Sequence, residues 1–308
     1  MRVTQHMMVE NQIFHSTESL DKLNQLQEQI SSGKEYRWAS DNPSGAVAAL
    51  TIRSTLEKHE AYIDTGQTMD GWLTATDSAL ASIESMLGRA INLTLDGTSD
   101  TMGTKERIAL GKEIDIILRQ AVDAGNTKHQ DEFIFAGFKT NTQPFALVDG
   151  VPDSVTYYGN NDPLKIEDIQ RNIGPAQAIT INVDGKILHG PDPTNPTASI
   201  FKALISTRDG LMTDDRAKIE AGLTDLKNVM ESIKNKHTEI GARQREVRAV
   251  LQGMEKTKIE LQGLLSKKED ANMAEAISNL REQETVYKTV LEVGSRTLST
   301  MSLFDYMR

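Results

Sequence analysis

The stretch "ISSGKEYRWASDNPSGAVAAL", Ile30 to Leu50, interrupts two runs that both read as long helices, and it concentrates two glycines and a proline among serines and an asparagine. Three readings compete for it: Gly33-Lys34 as a phosphate cradle, Ser44-Gly45 as a nucleophile, and Asn42-Pro43-Ser44-Gly45 as a plain turn. Gly33-Lys34 lacks the upstream glycine and the following Ser or Thr of a phosphate loop, and no strand precedes it. Ser44 has no glycine two residues earlier to form a nucleophile elbow. The remaining reading is structural: Gly33 ends one helix, and the loop through Asp41, Asn42 and Pro43 leads into the next.

Working outward, the prolines map the chain. Pro43 stands alone, and the other seven of the eight lie between Pro144 and Pro196. Proline costs about 3 kcal/mol inside a helix, so the flanks are free to be long helices and the centre is not. In the first flank, Ile13, Leu20, Leu23 and Ile30 fall on a helical stripe, as do Leu73, Thr76, Leu80, Ile83, Leu87 and Ala90. Gly97 and Gly103 mark a turn, after which Leu110, Ile114, Ile117, Ala121 and Ala124 begin a third amphipathic stretch.

The centre changes period. "AITINVDGKILHG" alternates Ile179, Ile181 and Val183, then offers Asp184-Gly185 as a hairpin turn before Ile187. A second strand pair is expected around Asp149-Gly150. Helical patterning returns after Pro196, with Thr213 or Asp214 as the expected cap of a long helix. In the last segment Ile277, Leu280, Glu284, Tyr287, Leu291, Gly294, Leu298 and Met301 step by three and four. The fold class read from this is mainly α with a β-rich insert: long antiparallel helices, a terminal coiled coil and a small central β domain that leans on the helices. The expected divisions are 1–44, 45–139, 140–196, 197–270 and 271–308.

The two terminal stripes bury most simply against each other, at about 1.5 to 3 kcal/mol per leucine. Isolated helices of that length are marginal, so the ends are expected to order on assembly. The assembly seam read from the sequence is Ile13, Leu20, Leu23, Ile30, Ile277, Leu280, Tyr287, Leu291, Leu298 and Met301. The interdomain connection is Gly33, Asp41, Asn42 and Pro43.

Composition narrows the function classes. The 308 residues are 38% hydrophobic and only 5% aromatic, which suits an elongated helical molecule better than one compact globule. Forty-four acidic against 34 basic residues give a net charge of -10, a field that repels phosphate backbones and anionic lipid. Neither nucleic acid nor membrane is expected as a partner. With no cysteine there are no disulfides and no thiolate chemistry. The opening residues lack the apolar core of a cleaved signal peptide, and the longest apolar run, Ala46 to Leu50, is far short of the roughly 20 residues that span a bilayer.

No catalytic set emerges. "HEAYI" from His59 has Ile63 where a zinc protease helix needs its second histidine. "DGTSDTMGTKER" from Asp96 has Thr101 and Arg107 at the glycine and glutamate positions of a calcium loop. The six histidines are scattered, Trp38 and Trp72 read as packing anchors, and Asp214-Asp215 and Glu269-Asp270 read as helix-start charges. No cofactor or metal is expected.

The two ends carry a resemblance. "LQEQISSGKEYRWASDNPSGA", Leu26 to Ala46, resembles the N-terminal motif of the bacterial flagellin superfamily, with Asn42 and Ser44 as mild departures. "LSKKEDANMAEAISNLREQETVYKTVLEVGSRTLSTMSLFDYMR", from Leu265, is similar to the matching C-terminal half, with Asn272 where aspartate is commoner. "FIFAGFKTNTQPF", Phe133 to Phe145, is similar to the junction proteins of that superfamily, which join hook to filament. The resemblance implies a structural adaptor without enzyme activity: a homo-oligomeric ring at the hook-filament junction that joins the other junction protein to flagellin. It also implies export through the flagellar type III apparatus to the extracellular flagellum, and a cytoplasmic chaperone on the C-terminal helix. Flagellin itself is the alternative. Against it stand the aromatic "FIFAGF" stretch and the lack of the usual flagellin receptor-binding sequence around Arg89 to Leu95. A flagellum-borne enzyme in residues 140–196 is a third reading, with His189 as its one histidine.

Overall fold

A computed structural model of the chain describes residues 5–148, 154–159, 169–175, 177–183, 185–189 and 199–306, with side chains described from residue 7 to residue 296 within them. Where proline is absent the helices run long: α1 (Gln5–Ser32), α2 (Pro43–Gly97), α3 (Thr104–Gly125), α5 (Ile200–Thr213), α6 (Arg216–Glu269) and α7 (Met273–Tyr306). A short helix, α4 (Lys186–His189), and six strands lie between α3 and α5. The strands form three antiparallel pairs: β1 (Lys128–His129) with β2 (Glu132–Phe133), β3 (Phe145–Val148) with β4 (Ser154–Tyr157), and β5 (Gln170–Asn172) with β6 (Ala178–Thr180). The chain is thus mainly helical with small antiparallel strand pairs, as the pattern predicts. No helix among the described residues is long and apolar enough to cross a membrane.

The chain divides into two units. The first takes the residues up to Lys58 and those from Thr257 onward; the second is His59–Lys256. In the second unit the sequence stripe on α2 is the core: Leu73, Thr76, Leu80, Ile83, Leu87 and Ala90 are all buried. Thr76 tolerates this because its hydroxyl donates to the Trp72 carbonyl one turn back, at 2.9 Å. Ile114, Ile117 and Ala121 of α3, Phe201 and Leu204 of α5, and Ile219, Leu226, Val229, Ile233, Ile240 and Val247 of α6 complete it. The strands do not form a separate core. Phe145, Tyr157, Ile173, Ile179, Ile181, Val183 and Leu188 belong to the same cluster as the helices.

The β3–β4 pair falls where the second hairpin is expected, with Phe145 opposite Tyr157 and Val148 opposite Ser154; its turn at Asp149-Gly150 lies outside the described residues. The first hairpin is a correction. Asp184 lies outside the described residues, but β6 pairs with β5, Arg171 opposite Ile179, and Ile187 is in α4 rather than in a strand. Packing explains the difference. A Cβ on Gly185 would stand 2.4 Å from the Phe135 carbonyl oxygen and 2.6 Å from the Tyr157 ring, so this glycine serves a close approach. The helical turn that follows buries Leu188 completely.

Three further expectations are corrected. Asp214 does not cap α6: it sits in the left-handed region at φ 56 and closes α5, while its carboxylate accepts from Thr104 and Arg107. The cap is Asp215, whose Oδ1 accepts from the Lys218 N–H at 3.2 Å. Glu269-Asp270 is not a helix-start pair but the end of α6, and α7 is capped by Asn272, whose Oδ1 faces the Glu275 N–H at 3.4 Å. Trp72 is a buried anchor as expected, whereas Trp38 is 60% exposed, under the Arg37 guanidinium at 5.0 Å.

Candidate assembly surface and connecting segment

The connection is built from local rules. Gly33 adopts φ +69 and its N–H donates to the Gln29 carbonyl at 2.9 Å, closing α1 with a left-handed cap. Pro43 is the first residue of α2, where its missing N–H costs nothing. Asn42 caps that helix: its side-chain oxygen accepts from the Gly45 N–H at 2.9 Å and from the Ser44 hydroxyl at 3.1 Å. Asp41 accepts from the Trp38 N–H at 3.0 Å and returns its own N–H to the Trp38 carbonyl, which folds the loop. No space beside Gly33 is filled within 4 Å, so Gly33→Ala isolates the backbone cost. Equilibrium unfolding should show a loss of about 1 to 2 kcal/mol; an unchanged midpoint removes the cap from the argument.

Lys34 cradles no phosphate. It pairs across the chain as an antiparallel bridge with Asp270, flanked by Glu35 N–H to Glu269 O at 2.7 Å and Ala271 N–H to Gly33 O at 2.9 Å. Its ammonium donates to Asp270 at 2.7 Å and to Glu269 at 3.3 Å, and Arg53 donates to the same Glu269 oxygen at 2.6 Å. The Asp270 hydrogen bond raises the Lys34 pKa against a smaller opposing effect of burial, and the Lys34 and Ser266 hydrogen bonds lower that of Asp270. Glu269 is 7% exposed. A buried carboxylate needs such partners, so the two cations fix the start of α7 beside the end of α1.

From that bridge α1 and α7 run antiparallel. Gln283 Nε2 donates to Ser19 Oγ at 2.9 Å, and Gln12 Nε2 to the Val290 carbonyl at 2.6 Å. The covered stripe on α1 is Val9, Gln12, Ser16, Ser19, Leu23, Leu26 and Ile30; on α7 it is Ala276, Leu280, Gln283, Tyr287, Val290 and Gly294. Four residues of the expected seam, Leu23, Ile30, Leu280 and Tyr287, lie on it. Four do not: Ile13, Leu20, Ile277 and Leu291 are exposed. The side chains of Leu298 and Met301 lie outside the described residues. Apolarity pointed to Ile277 and Leu291, one position away from Ala276 and Val290, because small and polar residues share this seam with the apolar ones. Gly294 is one of the few places where the pair closes tightly, since a Cβ there would meet Gln12 Nε2 at 2.6 Å.

The larger apolar side chains face outward instead. Ile13, Phe14 and Leu20 of α1 and Ile277, Val286, Leu291 and Val293 of α7 are all exposed, as are Val47, Leu50, Ile259 and Leu264 elsewhere in the first unit. Among the described residues of the second unit, which is nearly twice the size, only Leu95, Ile116, Phe138, Val148, Tyr158 and Met212 are. Scattered exposed apolar residues are ordinary, but concentration on one part of a chain marks a contact surface. The sequence pattern left these outward residues unseparated from the covered stripe.

Chemistry elsewhere is sparse. Among the described residues no three metal-capable side chains converge. His189 stands against the Tyr157 ring at 6.0 Å, its Nδ1 is buried with no hydrogen-bond partner among the described residues, and burial lowers its pKa.

Comparison with known proteins agrees with the motif at the N-terminal end. Residues 4–140 match the bacterial flagellin N-terminal helical region. The chain is 24% identical over 243 residues, 76% of its own length and 75% of the other's, to flagellar hook-associated protein 3 of Escherichia coli (strain K12). Its fold is similar to that of a putative flagellar hook-associated protein from Vibrio parahaemolyticus, with a TM-score of 0.65 at 16% identity, covering 75% of this chain and all of the other. It is also similar to Bacillus cereus FlgL, with a TM-score of 0.56 at 24% identity, covering 71% and 99%. The match over residues 4–140 agrees with the resemblance to the flagellin superfamily read from the N-terminal motif.

Proposed function

We propose that this chain, similar along three quarters of its length to flagellar hook-associated protein 3, is a structural adaptor of the bacterial flagellum. It forms a ring at the hook-filament junction and joins the other junction protein to flagellin. The observation that carries this reading is the crowding of exposed large apolar side chains onto the first unit, above all on α1 and α7. A chain with no use for that face would not retain it, because each such residue gains about 1.5 to 3 kcal/mol only when a neighbour covers it. Ile13, Leu20, Ile277 and Leu291 are the contacts between copies. Leu23, Ile30, Leu280 and Tyr287 hold the terminal pair together within one copy, and Gly33, Asp41, Asn42 and Pro43 aim it. The role is mechanical rather than catalytic.

Export by the flagellar type III apparatus through the N-terminal residues, and a chaperone on the α7 surface before export, complete the reading. One experiment tests its main parts: gold-labelled antibody microscopy of intact flagella, with the full chain and with residues 2–20 removed. A single band at the hook-filament boundary that disappears on truncation is expected. Label along the whole filament makes the protein a flagellin, and label that persists after truncation removes the export signal from the N-terminus.

A further inference from the structure

We infer that His237 is the pin of a pH-operated clamp that fastens α6 to α2 within the second unit. Its two ring nitrogens reach two different carboxylates on one helix: Nδ1 lies 2.9 Å from Glu84 Oε1 and Nε2 lies 2.9 Å from Asp77 Oδ1. Asp77 and Glu84 are seven residues apart on α2, so the imidazole bridges two turns of that helix. A neutral imidazole has one N–H; its other nitrogen would then turn a lone pair toward a carboxylate oxygen at hydrogen-bond distance. Only the doubly protonated ring satisfies both contacts. The carboxylates sit on opposite nitrogens, so no single metal ion could replace the proton.

The other contacts on this edge do not change charge near neutral pH. Arg248 Nε donates to Asp70 Oδ1 at 2.8 Å and Gln244 Nε2 to Thr74 Oγ1 at 2.8 Å. Within α6 the charged neighbours are Lys234, Lys236, Glu239 and Arg243, of which Lys236 and Arg243 both pair with Glu239. From α2 the facing groups are Asp77 and Glu84, and among the described residues no third element supplies a charge to the ring. Partial burial alone would depress the imidazole, but the Glu84 hydrogen bond and charge, joined by those of Asp77, outweigh it and raise the pKa above the ordinary 6.5.

The sign follows. A raised folded-state pKa gives a stabilisation that is complete below 6.5 and is lost as pH rises through the folded-state value. Above that value the edge also carries two carboxylates with no cation between them. The clamp therefore holds below pH 6.5 and slackens as pH rises through the folded-state value.

The test uses the full-length protein. The His237 ring-proton titration is followed by NMR, assigned by its absence in His237→Gln, and thermal unfolding is recorded across the same pH range. A titration midpoint above 6.5 is expected, moving down in the Asp77→Asn/Glu84→Gln double variant. The wild-type unfolding temperature should fall between pH 6.5 and that midpoint, with a flatter profile in His237→Gln, whose amide keeps one contact. A midpoint at or below 6.5, or parallel stability profiles for wild type and His237→Gln, overturns the clamp.

Discussion

Leu291→Lys should leave a folded, exportable subunit that does not enter the flagellum. Leu291 is 47% exposed and off the stripe that joins α7 to α1, so its replacement leaves that stripe intact. Surface changes of that kind stay within about 0.5 kcal/mol, and the unfolding midpoint should barely move. At a contact between copies the same change removes an apolar anchor and buries an unpaired ammonium, a penalty of several kcal/mol at each interface. Each 1.4 kcal/mol is about a factor of ten in association. Motility assays and filament counts should therefore approach the phenotype of a strain without the protein, while secreted monomer stays at the wild-type level. Leu280→Lys is the informative companion: Leu280 is half-buried on the covered stripe, so its replacement should loosen the terminal pair itself and lower helicity in the monomer. Normal filament growth with Leu291→Lys would mean that the outward face is not what neighbours hold.

The difference between those two leucines shows how far the sequence could be read. At Gly33 and Pro43, whose roles depend on their own backbone, the reading held: Gly33 takes the φ that only glycine adopts freely, and Pro43 takes the one helical position where its lost donor is harmless. The α2 stripe held too, because five consecutive three-four steps of apolar or small residues, from Leu73 to Ala90, leave little choice of face. The terminal stripe was less legible. Apolar residues occur on two neighbouring faces of α7, and Ala276, Gln283, Val290 and Gly294 win the inner one because small side chains and amide hydrogen bonds let the helices approach. The Asp184-Gly185 turn failed for a different reason. The local pattern favours a hairpin, but Gly185 is required beneath Phe135 and Tyr157, a constraint set by residues far away in sequence. His237 carries no local signal at all: Asp77 and Glu84 are more than 150 positions away, and only the pairing of α2 with α6 brings them to one ring.

Phe145→Ala should be the most destabilising single change in the second unit. Phe145 is fully buried, and its ring meets Tyr157 at 5.2 Å and Phe201 at 5.1 Å between centroids, tying β3 to β4 and to α5. Gly125 at the end of α3 leaves room for it: a Cβ there would stand 2.8 Å from the Phe145 ring. Asn126 secures the backbone on both sides, accepting from the Phe145 N–H at 3.0 Å and donating to its carbonyl at 2.9 Å. Removing the ring opens a cavity that these anchored neighbours cannot collapse into, and large aromatic truncations of that kind cost about 3 to 5 kcal/mol. The loss should appear as one cooperative transition at lower denaturant, with helical and aromatic signals shifting together, because strands and helices share one core. Two separated transitions, with the helical signal unmoved, would mean that the β segment folds as a body of its own. The single transition would instead make the strands a brace for α3 and α5, which is how so short a segment without cysteine stays folded.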